Sequence, residues 1–177
     1  DHKLAQLVRA AKGCYDFATG LGAPFISGKD SFHNEYRLDN KTIAIPPTLL
    51  VSAMGVVEDV EKAVTMDVKN AGDIVYVLGE THDELGGSHF YMINGHKGSN
   101  VPKVNAEKAL RLYRALHGAM GDGLVASCHD CSEGGIAVAA AESAFAGGLG
   151  MRLGIADIPA SQDMPAWRRL FSESNSR

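Results

Sequence analysis

The segment 27–31, with the sequence SGKDS, places a lysine, a carboxylate and a hydroxyl side by side at the end of a short apolar run. Gly28 has no side chain that would keep a ligand away from the backbone. Lys29 can pair with a phosphate as a point charge, Ser31 can donate a hydrogen bond, and Asp30 could help to hold magnesium. A Walker A loop is excluded, because its glycine spacing is shorter and a hydroxyl should stand where Asp30 is. The spacing alone fits a phosphate-binding loop or a tight turn with solvated charges.

A second candidate is HDCSEGG, residues 129–135, where a predicted strand gives way to a predicted helix. Free backbone N–H groups and the positive end of a helix dipole favour an anion at such a point, near Ser132, Gly134 and Gly135. Alternatively, Ser132 only caps the helix and the two glycines allow close packing. The sequence leaves both interpretations open.

The third candidate, FSESNSR at 171–177, groups three hydroxyls, including those of Ser172 and Ser174, with a carboxylate and an arginine. This set suits phosphate recognition, but it also suits a solvated turn. The polar segment 82–89 is interpreted as a surface loop. No nucleophile and base stand in a recognisable pattern, so no catalytic residue is assigned. The motifs indicate phosphate binding without specifying a reaction.

Composition and charge exclude several classes of protein. Apolar residues make up 45% and charged residues 21%, which is typical of a globular protein rather than a disordered one. The 17 Lys and Arg residues against 21 Asp and Glu residues argue against a binder of nucleic acid or of membrane surfaces. No apolar run approaches the roughly 20 residues that span a bilayer.

The three cysteines, Cys14, Cys128 and Cys131, are an odd number without a signal peptide, which predicts a reduced, cytoplasmic protein. Cys128 and Cys131 form a CxxC pair that lacks the second pair of a typical zinc site. The chain starts without methionine at Asp1 and stops in a polar run at Arg177, and we therefore expect a fragment of a longer polypeptide.

Hydrophobic periodicity predicts a mixture of helices and strands and hence an α/β or α+β fold. The segment 34–47 is expected to be a surface loop. The predicted helices cover 3–19, 105–120 and about 132–145, and the predicted strands cover 23–27, 48–57, 74–79, 124–130 and 150–158.

Four segments in this order carry a resemblance to a known family: PFISGKDSFHNEY, the run 48–88, HDCSEGGIAVAAAESAFAGG and LFSESNSR. Together they resemble the phosphoribosylformylglycinamidine synthase family. It belongs to the aminoimidazole ribonucleotide synthetase-like superfamily, whose members pair an N-terminal ATP-binding domain with a C-terminal α/β domain. The resemblance implies that 1–52 ends a second N-terminal-type domain. It also implies that 53–177 is a truncated C-terminal-type domain, with a mixed sheet and packed helices.

The resemblance also implies roles for individual residues. By family position, Gly28 contacts ATP, Lys29 stands at a magnesium position and Ser31 contacts formylglycinamide ribonucleotide. A protonated lysine cannot ligate a cation, so we expect Lys29 to neutralise phosphate instead. The remaining phosphate-proximal candidates are Asp30, Ser132, Gly134, Gly135, Ser172 and Ser174.

The implied function is that of an ATP- and Mg²⁺-dependent ligase of purine biosynthesis that uses ammonia from glutamine. The expected partners are the remaining synthetase domains and a glutaminase domain or subunit. The catalytic histidine and the main magnesium carboxylates of the family belong to an earlier part, so we expect this chain to be inactive alone. The alternatives are a non-catalytic, nucleotide-stabilised scaffold half and a selenophosphate synthetase-like or kinase-like enzyme.

Overall fold

The computed structural model of the chain describes residues 2–31 and 33–177. Asp1, and Phe32 of the PFISGKDSFHNEY motif, lie outside the described residues. The chain divides into two compact units, Asp1–Val56 and Val57–Arg177. The assignment of 1–52 and 53–177 to two domain types stays a prediction.

In its described residues, the first unit contains one helix and one hairpin. Helix α1 (His2–Leu21) confirms the helix predicted over 3–19. Strands β1 (Glu35–Leu38) and β2 (Lys41–Ala44) pair antiparallel, with Glu35 opposite Ala44 and Leu38 opposite Lys41. The segment 34–47 lies at the surface as predicted, but the prediction of a loop was wrong, because it contains this hairpin. Asp39 has a φ of 51°, and this left-handed backbone supports the tight two-residue hairpin turn that the polar sequence obscured.

The second unit contains four α-helices within the described residues: α2 (His89–Ile93), α3 (Ala106–Gly121), α4 (Gly135–Gly147) and α5 (Ala166–Phe171). Helix α3 confirms the prediction, and Asn105 caps it by accepting a hydrogen bond from the Lys108 N–H at 2.9 Å. Helix α4 is also confirmed and ends at Gly148 in the left-handed conformation. Its N-cap is Gly134, whereas the alternative interpretation placed Ser132 there. Short 3₁₀ turns occupy Val60–Lys62 and Ile155–Asp157.

The predicted strands 23–27, 48–57, 74–79, 124–130 and 150–158 do not form among the residues that the structure describes. An apolar, β-branched run becomes a strand only when its N–H and C=O groups find a second strand. These segments have no such partner here, and side chains such as Leu50 and Tyr76 are 90% and 76% exposed. One parallel bridge, between Thr81 and Ala160, is the described strand-like pairing of the second unit. The α+β class is confirmed, but the strand positions were wrong.

The second unit is held together around its C-terminal segment, 170–177. Phe171 of α5 stacks on Phe90 of α2 with ring centroids 4.7 Å apart, and Trp167 stacks on the same ring at 5.5 Å. Leu85, shortly before α2, and Ile136, in the first turn of α4, are almost fully buried. This packing brings the start of α4 and the segment before α2 against the C-terminal segment, which positions the candidate site.

None of the helices within 2–31 and 33–177 combines the length and the apolar character needed to cross a bilayer.

Candidate anion-binding sites

The loop 28–31 lies in the first unit and is exposed. The Lys29 Nζ donates to the carbonyl oxygen of Asp30 and to the Ser31 Oγ, both at 2.7 Å. The structure therefore brings Lys29 and Ser31 together, whereas no described hydrogen bond engages the Asp30 carboxylate. A Cβ added at Gly28 would meet nothing within 4 Å, so the backbone there is open to a ligand.

The donor set of this loop fits an anionic oxygen. An ammonium has three N–H donors, of which the Lys29 Nζ uses two, and a hydroxyl that accepts one bond can still donate one. Ser31 and Lys29 could thus bind the same phosphate group. The ammonium of Lys29 carries no lone pair and cannot ligate a cation. Within 2–31 and 33–177 no three His, Cys, Asp or Glu side chains lie close enough together to hold an ion among themselves.

In the second unit, the loop 128–134 is tied to α4 by His129. Its Nε2 lies 2.9 Å from Glu142 Oε2, and its Nδ1 lies 3.4 Å from Asp130 Oδ1. The Ser132 hydroxyl donates to the Asp130 carboxylate, and this bond lowers the pKa of Asp130. The contacts of His129 are those of a residue that fixes the loop.

The predicted phosphate-proximal groups of this unit bond within the protein, except for the buried Ser172 hydroxyl, which has no hydrogen-bond partner among the described residues. The Gly134 N–H donates to Glu173 Oε1 at 2.8 Å, and the Gly135 N–H donates to the Ser132 carbonyl at 3.0 Å. Ser174 is fully buried, and its Oγ accepts from the His82 N–H at 2.9 Å. Ser172 is fully buried as well. Their predicted role toward phosphate stays a prediction.

The motif FSESNSR singles out no role for Arg177, but its guanidinium makes three hydrogen bonds. Its guanidinium donates to Thr81 Oγ1 at 2.7 Å, to the Ser172 carbonyl at 2.5 Å and to the Ser174 carbonyl at 3.0 Å. Burial lowers the pKa of Arg177, because a charged group is less well solvated away from water.

HDCSEGG and FSESNSR meet across a cleft of about 500 Å³. Tyr113 of α3 joins this cleft, and its hydroxyl donates to Ser176 Oγ at 3.1 Å. No sequence pattern indicates this contact, since Tyr113 fits the apolar side of α3. Asp130, Glu133 and Glu173 line the cleft together with Arg177, so its charged side chains are mainly acidic. An anionic ligand in this cleft would have to pair with Arg177 or bind together with a cation of its own.

The surroundings of the two cysteines of the CxxC pair favour the neutral thiol. Burial raises the pKa of Cys131, which lines the cleft, and burial also raises the pKa of Cys128. The reactive form is the thiolate, which a raised pKa makes scarcer at neutral pH.

Residues 70–177, well over half of the chain, match the family described as AIR synthase related protein, C-terminal domain. The chain belongs to this family.

The relatives it matches carry one more specific name. The chain is 35% identical over 173 residues to phosphoribosylformylglycinamidine synthase subunit PurL of Leifsonia xyli and 37% identical over 174 residues to that of Thermobifida fusca. It is 36% identical over 170 residues to that of Thermococcus sibiricus. These matches cover 97%, 97% and 96% of this chain, but only 22%, 21% and 23% of the relatives. The resemblance inferred from the motifs is confirmed, and the chain spans about a fifth of the length of these curated relatives.

Proposed function

We propose that this chain is part of an ATP-dependent ligase that converts formylglycinamide ribonucleotide and glutamine-derived ammonia to formylglycinamidine ribonucleotide. The observation that carries the proposal is the similarity to PurL along 97% of the chain at 35–37% identity. The two candidate phosphate-binding motifs SGKDS and HDCSEGG both lie inside this matched length.

The proposed reaction has two stages. The amide oxygen of formylglycinamide ribonucleotide accepts the terminal phosphoryl group of ATP, which releases ADP. Ammonia then adds to the activated carbon, and inorganic phosphate leaves with the former amide oxygen. Both stages develop negative charge on phosphate oxygens, so positioned donors that neutralise this charge are the main contribution that a protein can make.

Lys29 and Ser31 are the residues of this chain best placed for that task. The ammonium is held between the Asp30 carbonyl and the Ser31 hydroxyl, each at 2.7 Å, so its position is set before a ligand arrives. A donor that is already positioned loses less freedom when the ligand binds. We assign Ser31 to the ribonucleotide substrate, Gly28 to ATP and Lys29 to phosphate neutralisation.

The proposed partners are the remaining domains of the synthetase and a glutaminase domain or subunit, in the cytoplasm. Support comes from the relatives, which are named as a subunit and are about five times longer than the matched segment.

Replacing Ser31 with alanine in the complete protein is expected to lower kcat/KM for formylglycinamide ribonucleotide about tenfold, the usual effect of losing one hydrogen bond to a charged group. Steady-state ADP release measures this ratio. Ser52→Ala is a matched control, because Ser52 is an exposed hydroxyl of the same unit. An unchanged kcat/KM in Ser31→Ala would remove Ser31 from the proposed site.

A further inference from the structure

The carboxylate of Glu173 joins the starts of two helices. Its Oε1 accepts from the Gly134 N–H at 2.8 Å, at the start of α4, and from the His89 N–H at 2.9 Å, at the start of α2. The side chain is only 15% exposed. Its own backbone N–H donates to the Glu84 carbonyl at 3.2 Å. Glu173 thus connects its own C-terminal segment to two stretches that are distant in sequence, 84–89 and the start of α4.

Gly135 of HDCSEGG allows the C-terminal segment to approach the start of α4 closely. A Cβ added at Gly135 would lie within 3.0 Å of the carbonyl oxygens of Ser172 and Leu170. The C-terminal segment therefore occupies the space that a side chain would fill. The backbone N–H groups that begin a helix lack partners within the helix and favour a negative charge. Here the chain supplies that charge itself, because the Glu173 carboxylate stands at the start of α4.

We propose that Glu173 is a positioning residue for the ligase reaction. By holding the loop 128–134, the start of α2 and the segment 172–177 in one arrangement, it fixes the cleft wall that carries Ser132 and Arg177. The anion predicted at the start of α4 is, in this interpretation, the protein's own carboxylate. A ligand phosphate in the cleft then contacts groups of the wall other than the N–H donor that Glu173 occupies at the start of α4. The kinetic part of this inference rests on the proposed function.

Amide hydrogen exchange in the complete protein tests the structural part. Glu173→Ala is expected to accelerate exchange at the Gly134 and His89 amides about tenfold or more, since both lose a charge-assisted bond. Glu173→Gln keeps an oxygen that can accept, so about a threefold acceleration is expected. Glu133→Gln is the control. It removes one carboxylate charge from the cleft, but the Glu133 side chain has no described hydrogen bond to lose. The Gly134 and His89 amides should exchange in this variant as in the wild type.

The kinetic test separates positioning from general stability. Glu173→Ala is expected to raise KM for ATP or for formylglycinamide ribonucleotide about tenfold while kcat changes less than about twofold, and Glu173→Gln should restore most of the loss. Unchanged exchange at both amides in Glu173→Ala, or altered exchange with both KM values unchanged, would overturn the proposal. A wild-type protein without ligase activity would refute the proposed function and the kinetic role together. The exchange data would still decide whether Glu173 holds the three segments.

Discussion

Gly135→Ala is expected to accelerate amide exchange throughout α4 about a hundredfold in the complete protein. Gly135 has a φ of 64°, where an alanine costs about 1–2 kcal/mol. The new Cβ would also lie within 3.0 Å of two carbonyl oxygens, Ser172 and Leu170, and such overpacking typically costs about 1–3 kcal/mol. Together these effects destabilise the start of α4 by about 3 kcal/mol, and each 1.4 kcal/mol is about tenfold in exchange rate.

Gly148→Ala separates the two causes. Gly148 ends the same helix with nearly the same φ, 65°, but a Cβ there would meet nothing within 4 Å. It should therefore cost only the backbone term of about 1–2 kcal/mol. Equal acceleration in the two variants would contradict the close contact between Gly135 and the C-terminal segment.

Arg177→Met is expected to destabilise the contact between the C-terminal segment and Thr81 by about 3 kcal/mol. The substitution keeps a long side chain but removes three donors and leaves Thr81 Oγ1 and the carbonyls of Ser172 and Ser174 without them. Each bond to a charged group contributes about 1.5–3 kcal/mol, and relief of the cost of burying the guanidinium offsets part of the sum. Amide exchange at residues 81–84 and 172–176 measures the effect.

Arg114→Met is the matched control for this variant. Arg114 is exposed on α3 without a described hydrogen bond, and its replacement should change stability by less than about 0.5 kcal/mol. Arg177→Lys should fall between the two, because one ammonium cannot reach all three acceptors of the planar guanidinium. If Arg177→Met behaved like Arg114→Met, Arg177 would have no role in anchoring the segment.

The Gly135→Ala and Arg177→Met variants also test the alternative in which the second unit is a structural scaffold. A large loss of local stability with little change in kcat would favour that alternative. The contacts of Gly134 and Ser174 point in that direction, since both bond within the protein.

Local signals explain which elements the sequence predicts well. Asn105 starts α3 and Gly148 stops α4 through bonds to residues within four positions, so both helices can be inferred from the chain itself. Strands depend on distant partners, and the apolar run 74–79 has none in the described part of the chain. Helices α2 and α5, of five and six residues, are too short to show a clear period.

The candidate sites show the same difference between local contacts, which the sequence predicts, and long-range contacts, which it does not. Lys29 and Ser31 are two positions apart, so their contact could be anticipated from adjacency. The contact of Glu173 with Gly134 spans 39 positions, and that with His89 spans 84. Both are set by packing of the C-terminal segment, which no local pattern specifies. Of the two glycines of HDCSEGG, Gly135 makes room for the C-terminal segment, and no sequence pattern specifies that neighbour.

The most direct test of the proposed ligase is ATP consumption by the complete protein, supplied with ATP and an ammonium salt and offered one acceptor at a time. The acceptors are formylglycinamide ribonucleotide, formylglycinamidine ribonucleotide, selenide and thiamine monophosphate. ATP consumption above the acceptor-free rate is expected only with formylglycinamide ribonucleotide. Consumption with one of the other three acceptors and none with formylglycinamide ribonucleotide would contradict the proposed function.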